Sequence, residues 1–310
     1  MNARSVSDPA LAAAITCDAS KQTYGTIRFL VDGGLTEDAY RAYGYFRWVD
    51  DWLDQEACPR NERLAFVRRQ QALIEACSRG ELPADLAPEE CLLADLIRRE
   101  DDEDSGLRIY IRKMMAVMDF DAHRRGQLVS QRELDEYTNW LAVAVTEAMH
   151  YFIGHRCASP HGQIRYAAVS GAHIVHMLRD ALEDAEAGYF NIPQEVVGAH
   201  GITPWDVKSK AYRGWVKERV RQARDCFRVG KDYLAQVENL RCRIAGYAYT
   251  RRFEAVLDCI ERDGYLLRAQ YPEREGSHSL MKTAGWALWM ALKNRQPIYV
   301  PSSSVERPVR

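Results

Sequence analysis

The sequence predicts an all-α protein, and two observations carry that prediction. Apolar residues recur every three or four positions along most of the 310 residues, which is the period of an amphipathic helix. Strand-like alternation is confined to short apolar stretches. Hydrophobic residues make up 47% and charged residues 28% of the chain, a composition typical of a globular protein with ample material for a core. Because no stretch of about 18 consecutive apolar residues occurs, no transmembrane helix is expected.

The helices follow one another from residue 20 onward. Asp32, Gly33 and Gly34 form a turn signal that closes the first helix, and Thr36, followed by two acidic residues, is typical of the start of the second. By the same signals we expect helices at about residues 20–30, 36–55, 62–77, 91–99, 107–124, 130–153, 163–187, 205–234, 240–263 and 277–294. The chain then divides into an N-terminal arm (1–19), one helical domain (20–295) and a flexible tail (296–310).

Charge and cysteine content narrow the class of ligand. Lys and Arg (42) nearly cancel Asp and Glu (44), so no overall field draws the protein to nucleic acid, and a small ligand is the better expectation. The eight cysteines are scattered without a C-x-x-C pair, and no signal peptide is recognisable, which favours a cytoplasmic protein. The apolar stretch 284–292, with Trp286 and Trp289, leaves open a transient, peripheral contact with a membrane surface.

Asp50 and Asp54 form the first motif that indicates chemistry. They are four residues apart near the end of the predicted second helix, so they share one face and lie about 6 Å apart along its axis. Like charges at this spacing repel each other, and acidic groups at a helix C-terminus oppose the macrodipole. A hard divalent cation such as Mg²⁺, held by carboxylates and substrate phosphates, would offset both effects. Arg47, three residues earlier, is placed to bind a carboxylate or a phosphate.

Asp180 and Asp184 repeat the arrangement, with Arg179 beside them. One acidic pair is common on an exposed helix, but two such pairs, each next to an Arg on an otherwise apolar helix, are not. Facing one another across a bundle, they would form a cage for several cations and a diphosphate.

These residues resemble the squalene and phytoene synthases. Residues 43–54 (YGYFRWVDDWLD) are similar to the family's first aspartate motif, approximately Y-x-x-x-R-x-x-D-D-x-x-D, and residues 177–184 (MLRDALED) to its second, I-L-R-D-x-x-E-D. The resemblance can be followed from about residue 20 to residue 271.

The resemblance implies an isoprenoid synthase fold, a single-domain helical bundle with a central cavity. It further implies a prenyltransferase that condenses two allylic prenyl diphosphates, C15 or C20, head to head, with Mg²⁺ or Mn²⁺ as cofactor. NADPH stays open, because reductive members of the family bind it without a Gly-rich fingerprint. The implied metal ligands are Asp50, Asp54, Asp180 and Asp184, and the implied diphosphate contacts are Arg47, Arg179, Tyr43 and Lys21.

The sequence departs from the family's pattern around this cage. His173 and His176 stand where the family has Q-x-x-N, so we expect the histidines to contact substrate, and His176 either to bind metal or to donate to a diphosphate. Phe253 replaces a family tyrosine and removes a hydroxyl. Bulkier residues, among them Val143, take the place of a small-residue stretch at 141–146 and should narrow the cavity.

Three alternatives follow from these departures. A class I terpene cyclase or diphosphate lyase would use the same cage on one prenyl chain. A di-iron carboxylate bundle is suggested by Glu147 and His150, an E-x-x-H element whose nearest match is Glu275 with His278. A non-catalytic relative would keep the fold without need of the four aspartates.

Overall fold

The computed structural model describes residues 7–56, 58–154, 162–271 and 277–293. These parts of the chain fold into helices joined by loops and contain no strand, which confirms the predicted all-α class. The helices are α1 Pro9–Ala19, α2 Lys21–Leu30, α3 Thr36–Leu53, α4 Arg60–Ser78, α5 Pro88–Arg99, α6 Gly106–Arg124, α7 Gln131–Ile153, α8 Gln163–Arg179, α9 Ala181–Glu186, α10 Gln194–His200, α11 Lys210–Leu234, α12 Leu240–Arg262 and α13 Ser277–Lys293. Among them, no helix has the length and apolar character needed to cross a bilayer.

The structure differs from the predicted elements chiefly at four places, one of which is α11, since it begins at Lys210 and not at residue 205. The segment predicted as an arm contains α1, whose Ala12 and Thr16 are fully buried and whose backbone lies 3.2 Å from where a Cβ on Gly44 of α3 would stand. The short helix α10 lies in a stretch for which we predicted no helix. The single helix predicted at 163–187 is two helices, because Asp180 leaves the helical conformation (φ −96°, ψ 4°). The predicted tail at 296–310 lies outside the described residues.

Local signals begin most of these helices. Ser130 caps α7 by accepting from the Glu133 amide, and the Glu133 carboxylate accepts from the Ser130 amide in return, which is a capping box. The side chains of Ser105, Ser209 and Asn239 cap α6, α11 and α12 in the same way.

The bundle has two main apolar clusters, one built mostly by α3 to α7 and the other mostly by α8, α11 and α12. The pair α8 and α11 approaches most closely at Gly230, where a Cβ would lie 2.6 Å from the backbone N of Ala168. The motif helices α3 and α8 are thus each anchored in a different cluster.

Candidate active site

The first aspartate motif closes α3. Asp50 lies in the last turn and Asp54 is the C-cap residue, whose amide donates to the Asp50 carbonyl at 3.0 Å. Arg47 Nη1 donates to the Asp50 carboxylate at 3.0 Å, and the other Nη of Arg47 pairs with Asp51. About 39% of the Arg47 and Asp50 side chains remains exposed, so both are reached by solvent.

The second motif is divided by a bend in the backbone. Arg179 ends α8 and binds the carboxylate of Asp180 in a two-pronged pair, while Asp184 lies one turn into α9. Asn191 Nδ2 donates to the Asp184 carboxylate at 2.6 Å and to the Met177 carbonyl at 3.1 Å. Asn191 therefore links the Asp184 carboxylate, which lies beyond the bend, back to the last turns of α8.

Arg125 ties the two motifs together through their backbones. Its Nη1 donates to the carbonyls of Leu53 at 3.0 Å and Gln55 at 3.1 Å, at the end of the first motif, and its Nε donates to the Ala187 carbonyl at 3.0 Å, just after the second. Carbonyls at a helix C-terminus have no partner within the helix and carry partial negative charge, so one guanidinium satisfies both ends. This contact brings the two predicted motifs to one site.

Asp121 joins the site although no sequence motif marked it. Its carboxylate accepts from Arg124 Nε at 2.7 Å and from the Tyr137 hydroxyl at 2.9 Å. Arg124 in turn donates to the Asn191 side chain at 3.1 Å, and so reaches the partner of Asp184. The only local signal that could have marked Asp121 is its spacing of three from Arg124 at the end of a helix, and that pattern is common on protein surfaces.

The carboxylates of the site repel one another in a partly dry environment. Burial, then the charge of Asp54, raises the pKa of Asp50 to about 7, with a further contribution from Asp121 and an opposing one from Arg47. Burial also raises the pKa of Asp184 to about 7, against the Asn191 hydrogen bond that lowers it. The pKa of Asp54 is raised by burial and by Asp121. Solvent thus reaches the Asp50 side chain, while the protein around it disfavours its ionised form.

The donor set suits a hard cation that is shared with phosphate. Within the described ranges, no three Asp, Glu, His or Cys side chains converge closely enough to hold a metal ion alone. Mg²⁺ characteristically uses one or two carboxylates together with substrate phosphates and water, rather than a cage made entirely of protein. Asp50 and Asp184 fit this way of binding Mg²⁺, because the neighbouring protein does not fully compensate the charge of their ionised forms.

The two histidines lie in different surroundings. His176 is 53% exposed, with its Nδ1 3.4 Å from the Asp180 carboxylate and its ring 6.4 Å from that of Phe253. Although half of the His176 side chain is open to solvent, the protein that surrounds the ring, and then the charge of Arg179, lower its pKa to about 4, so the ring is neutral at pH 7. His173 is buried, with its Nδ1 3.1 Å from the Thr138 hydroxyl and its ring edge against Tyr137. His176 thus faces the aspartate site, whereas His173 lies in the interface between α7 and α8.

The remaining predicted contacts occupy the rim and the walls. Tyr43 is partly buried on α3 one turn before Arg47, and Lys21 is exposed in the first turn of α2. Phe253 is buried, and its ring packs edge to face with Tyr249, one turn earlier on α12, at 5.1 Å. Tyr249 therefore brings a phenol close to the position where Phe253 lacks one.

Val143, which we expect to narrow the cavity, and the E-x-x-H element both lie in the described part of the chain. Val143 of α7 and Tyr249 of α12 both pack against a buried cluster of Ala142, Tyr166 and Val169. The Glu147 carboxylate, on which the di-iron alternative depends, accepts from Arg165 Nη2 at 3.0 Å and from the Tyr166 hydroxyl at 2.9 Å. Glu147 is therefore neutralised by its neighbours, which removes the basis of the di-iron alternative. Of its proposed match, Glu275 lies outside the described residues and the His278 side chain is not described.

Fold and site together define an isoprenoid-synthase-like helical bundle with two aspartate motifs at a shared site. Its family follows from comparison with known proteins: the squalene/phytoene synthase model matches residues 18–275, so the chain belongs to the squalene/phytoene synthase family. This confirms the resemblance found in the motifs.

Two further similarities agree with the family. The chain is 30% identical over 173 residues to a presqualene diphosphate synthase of Rhodopseudomonas palustris, a match that spans 55% of this chain and 57% of that protein. Its fold resembles the crystal structure of squalene synthase HpnC from Alicyclobacillus acidocaldarius, with a TM-score of 0.66 and 16% identity over 84% of this chain and 95% of the other.

Proposed function

We propose that this protein is a Mg²⁺-dependent prenyltransferase that condenses two allylic prenyl diphosphates, C15 or C20, head to head. The observation that carries the proposal is the junction of the two aspartate motifs through Arg125, with the pKa values of Asp50 and Asp184 raised to about 7. The squalene/phytoene synthase family and the presqualene diphosphate synthase similarity support it.

The side chains divide into metal ligands and phosphate contacts. Asp50, Asp54, Asp180 and Asp184 would hold Mg²⁺ or Mn²⁺, which neutralises a leaving diphosphate when bound. Arg47, Arg179 and Tyr43 lie beside those carboxylates, where they would bind phosphate oxygens, and Lys21 lies at the rim. His176 is neutral at pH 7, and an imidazole suits a hydrogen bond to phosphate better than it suits Mg²⁺. A role of His173 at the substrate stays a prediction.

The reaction that this arrangement supports releases one diphosphate. The bond between C1 and oxygen breaks in one substrate, and the double bond of the second attacks the resulting allylic cation. Closure of a cyclopropane ring with loss of one proton gives a cyclopropylcarbinyl diphosphate. Aromatic side chains stabilise such a cation and exclude water from it. Phe253, whose ring lies 6.4 Å from that of His176, and the neighbouring Tyr249 would serve this purpose.

A single-substrate terpene cyclase or diphosphate lyase is the second candidate. The bulk of Val143, which packs against the cluster of Ala142, Tyr166 and Val169, favours it, because bulk there would leave less room for two prenyl chains. The carbon number of the product distinguishes condensation of two chains from cyclisation of one. The pure protein is incubated with Mg²⁺ and, in turn, C10, C15 and C20 allylic diphosphates, with and without NADPH, and the products are analysed by mass spectrometry. Condensation gives products with twice the substrate's carbon number. Products of unchanged carbon number would refute the first proposal in favour of the cyclase.

We also propose a peripheral contact with a lipid surface through α13. Leu288, Trp289 and Leu292 are 45%, 52% and 59% exposed, and Lys293 lies 4.5 Å from the Trp289 ring centre. Exposed Trp and Leu with a flanking Lys are typical of helices that lie in the interface of anionic bilayers. Trp289→Ser should reduce cosedimentation with phosphatidylglycerol vesicles. Equal sedimentation of variant and wild type would refute this contact.

A further inference from the structure

Arg252 lies beside the candidate active site without a carboxylate of its own. Within the described part of the chain it forms no ion pair, and its Nε is buried with no hydrogen-bond partner. The ring of Phe253, the next residue on α12, lies 6.4 Å from that of His176 on α8, which places this turn of α12 beside the second motif. The charges of Arg179, Tyr43 and Asp180 act on the Arg252 guanidinium there. Burial and then the charge of Arg179 lower the pKa of Arg252 below its ordinary value.

The other arginines of the site are already paired. Arg47 binds Asp50 and Asp51, and Arg179 binds Asp180. Arg252 and Arg179 therefore share the single negative charge of Asp180, so this side of the site has one more positive charge than negative charge. Two guanidinium groups held near each other in a partly dry site are costly unless an anion lies between them.

Tyr249 completes the same side of the site. It lies one short turn before Arg252 on α12, and its hydroxyl has no hydrogen-bond partner within the described residues. Burial raises the pKa of Tyr249 to about 12, while Arg252 and Arg179 oppose that shift. The phenol is therefore protonated near neutral pH, and it is available as a donor next to two cations.

We propose that Arg252, with the Tyr249 hydroxyl, binds the substrate diphosphate on the face turned away from the aspartates, and that Arg179 completes this subsite. The inference rests on the proposed function, because it takes the anion to be an allylic diphosphate. A guanidinium binds two phosphate oxygens at once, and a diphosphate has enough oxygens to meet both the aspartate-bound cations and this pair of arginines.

The test compares two neighbouring arginines on α12. Arg252→Met removes the unpaired guanidinium, and Arg251→Met is the matched control, because Arg251 instead lies 3.9 Å from Asp258 and over the Trp286 ring. The probe is inorganic diphosphate, titrated calorimetrically into the full-length protein with Mg²⁺. Arg252→Met should weaken binding by about tenfold to a hundredfold, the range for a lost charge-assisted hydrogen bond, and Arg251→Met should leave it within about twofold. Arg252→Lys, which keeps the charge but loses the fork, should fall between wild type and Arg252→Met.

The Tm distinguishes a binding role of Arg252 from a structural one. Loss of a structural contact would lower the Tm of the ligand-free protein, whereas loss of a binding residue would not. Because the Nε of the partly buried Arg252 has no hydrogen-bond partner, replacement of this side chain by Met should leave the Tm of the ligand-free protein unchanged or higher, while the rise in Tm caused by diphosphate shrinks. A fall in the ligand-free Tm together with unchanged diphosphate affinity would overturn the proposal. If Arg252→Met did not fold, unchanged affinity in Arg252→Lys would overturn it instead.

The same variants separate this inference from the proposed function. If wild type binds diphosphate through Arg252 but yields no product of doubled carbon number, the condensation fails and the subsite stands. If wild type condenses its substrates while Arg252→Met keeps the same KM and the same inhibition by diphosphate, only the subsite fails.

Discussion

Protons and divalent cations are expected to compete for the aspartate site. Asp50 and Asp184 both have a pKa of about 7, raised first by burial, and a metal ion binds the ionised carboxylates. At pH 6 about a tenth of each carboxyl is ionised, and at pH 8 about nine-tenths. If both must be ionised, the competent fraction rises from about 1% to about 80%, so the affinity for Mn²⁺ should increase by about a hundredfold between these pH values.

Calorimetry checks this expectation directly. Mn²⁺ is titrated into the protein at pH 6, 7 and 8 at constant ionic strength, and the titration at pH 7 is repeated in two buffers of different ionisation enthalpy to count released protons. At pH 7, where each of these carboxyls is about half protonated, Asp50→Asn should release about half a proton fewer, and its affinity for Mn²⁺ should depend less steeply on pH. Equal affinity at pH 6 and pH 8, with no proton release, would refute the reasoning.

The ligand-free protein should show the opposite trend in stability. A carboxyl whose pKa is raised from 3.8 to about 7 in the folded state binds more protons there than in the unfolded state across that interval. The contribution of Asp50 and Asp184 therefore favours the folded state below about pH 4 and is lost as the pH rises through 7. Saturating Mn²⁺ should offset the loss at pH 8. Thermal unfolding with and without metal measures both effects.

Two further substitutions test the site and the packing beneath it. Asp121→Asn removes a negative charge that raises the pKa of Asp50, Asp54 and Asp184. The pH at which Mn²⁺ affinity reaches half its maximum should therefore fall. An unchanged midpoint in the calorimetric pH profile would contradict this. Gly230→Ala places a methyl 2.6 Å from Ala168 and should lower the free energy of unfolding in denaturant by about 1 to 3 kcal/mol. Gly214→Ala on the same helix is the control. Its methyl meets nothing within 4 Å and should raise the free energy of unfolding by up to about 1 kcal/mol. Equal effects of the two substitutions would mean that α8 and α11 do not approach so closely.

The amino-acid sequence by itself determined the helical class, most helix positions and the pairing of Asp50 with Asp54. These are properties of nearby residues: the apolar period, the capping serines and the spacing of four act within a few turns of one chain segment. The same local signals predicted Asp180 and Asp184 as a second pair. They could not predict the bend at Asp180, because that bend occurs inside a stretch of unbroken helical pattern.

Only the tertiary structure decided which groups join those aspartates. Arg125 binds carbonyls near residue 54 and residue 187, and Asp121 influences both motifs, through contacts between segments far apart in the chain. Arg252 has an unremarkable Arg-Arg sequence context, and its place in the site depends on which face of α12 meets α8. Burial also changes the chemistry of residues that the sequence does identify, because a carboxyl titrates near 7 only when packing removes water and brings like charges close.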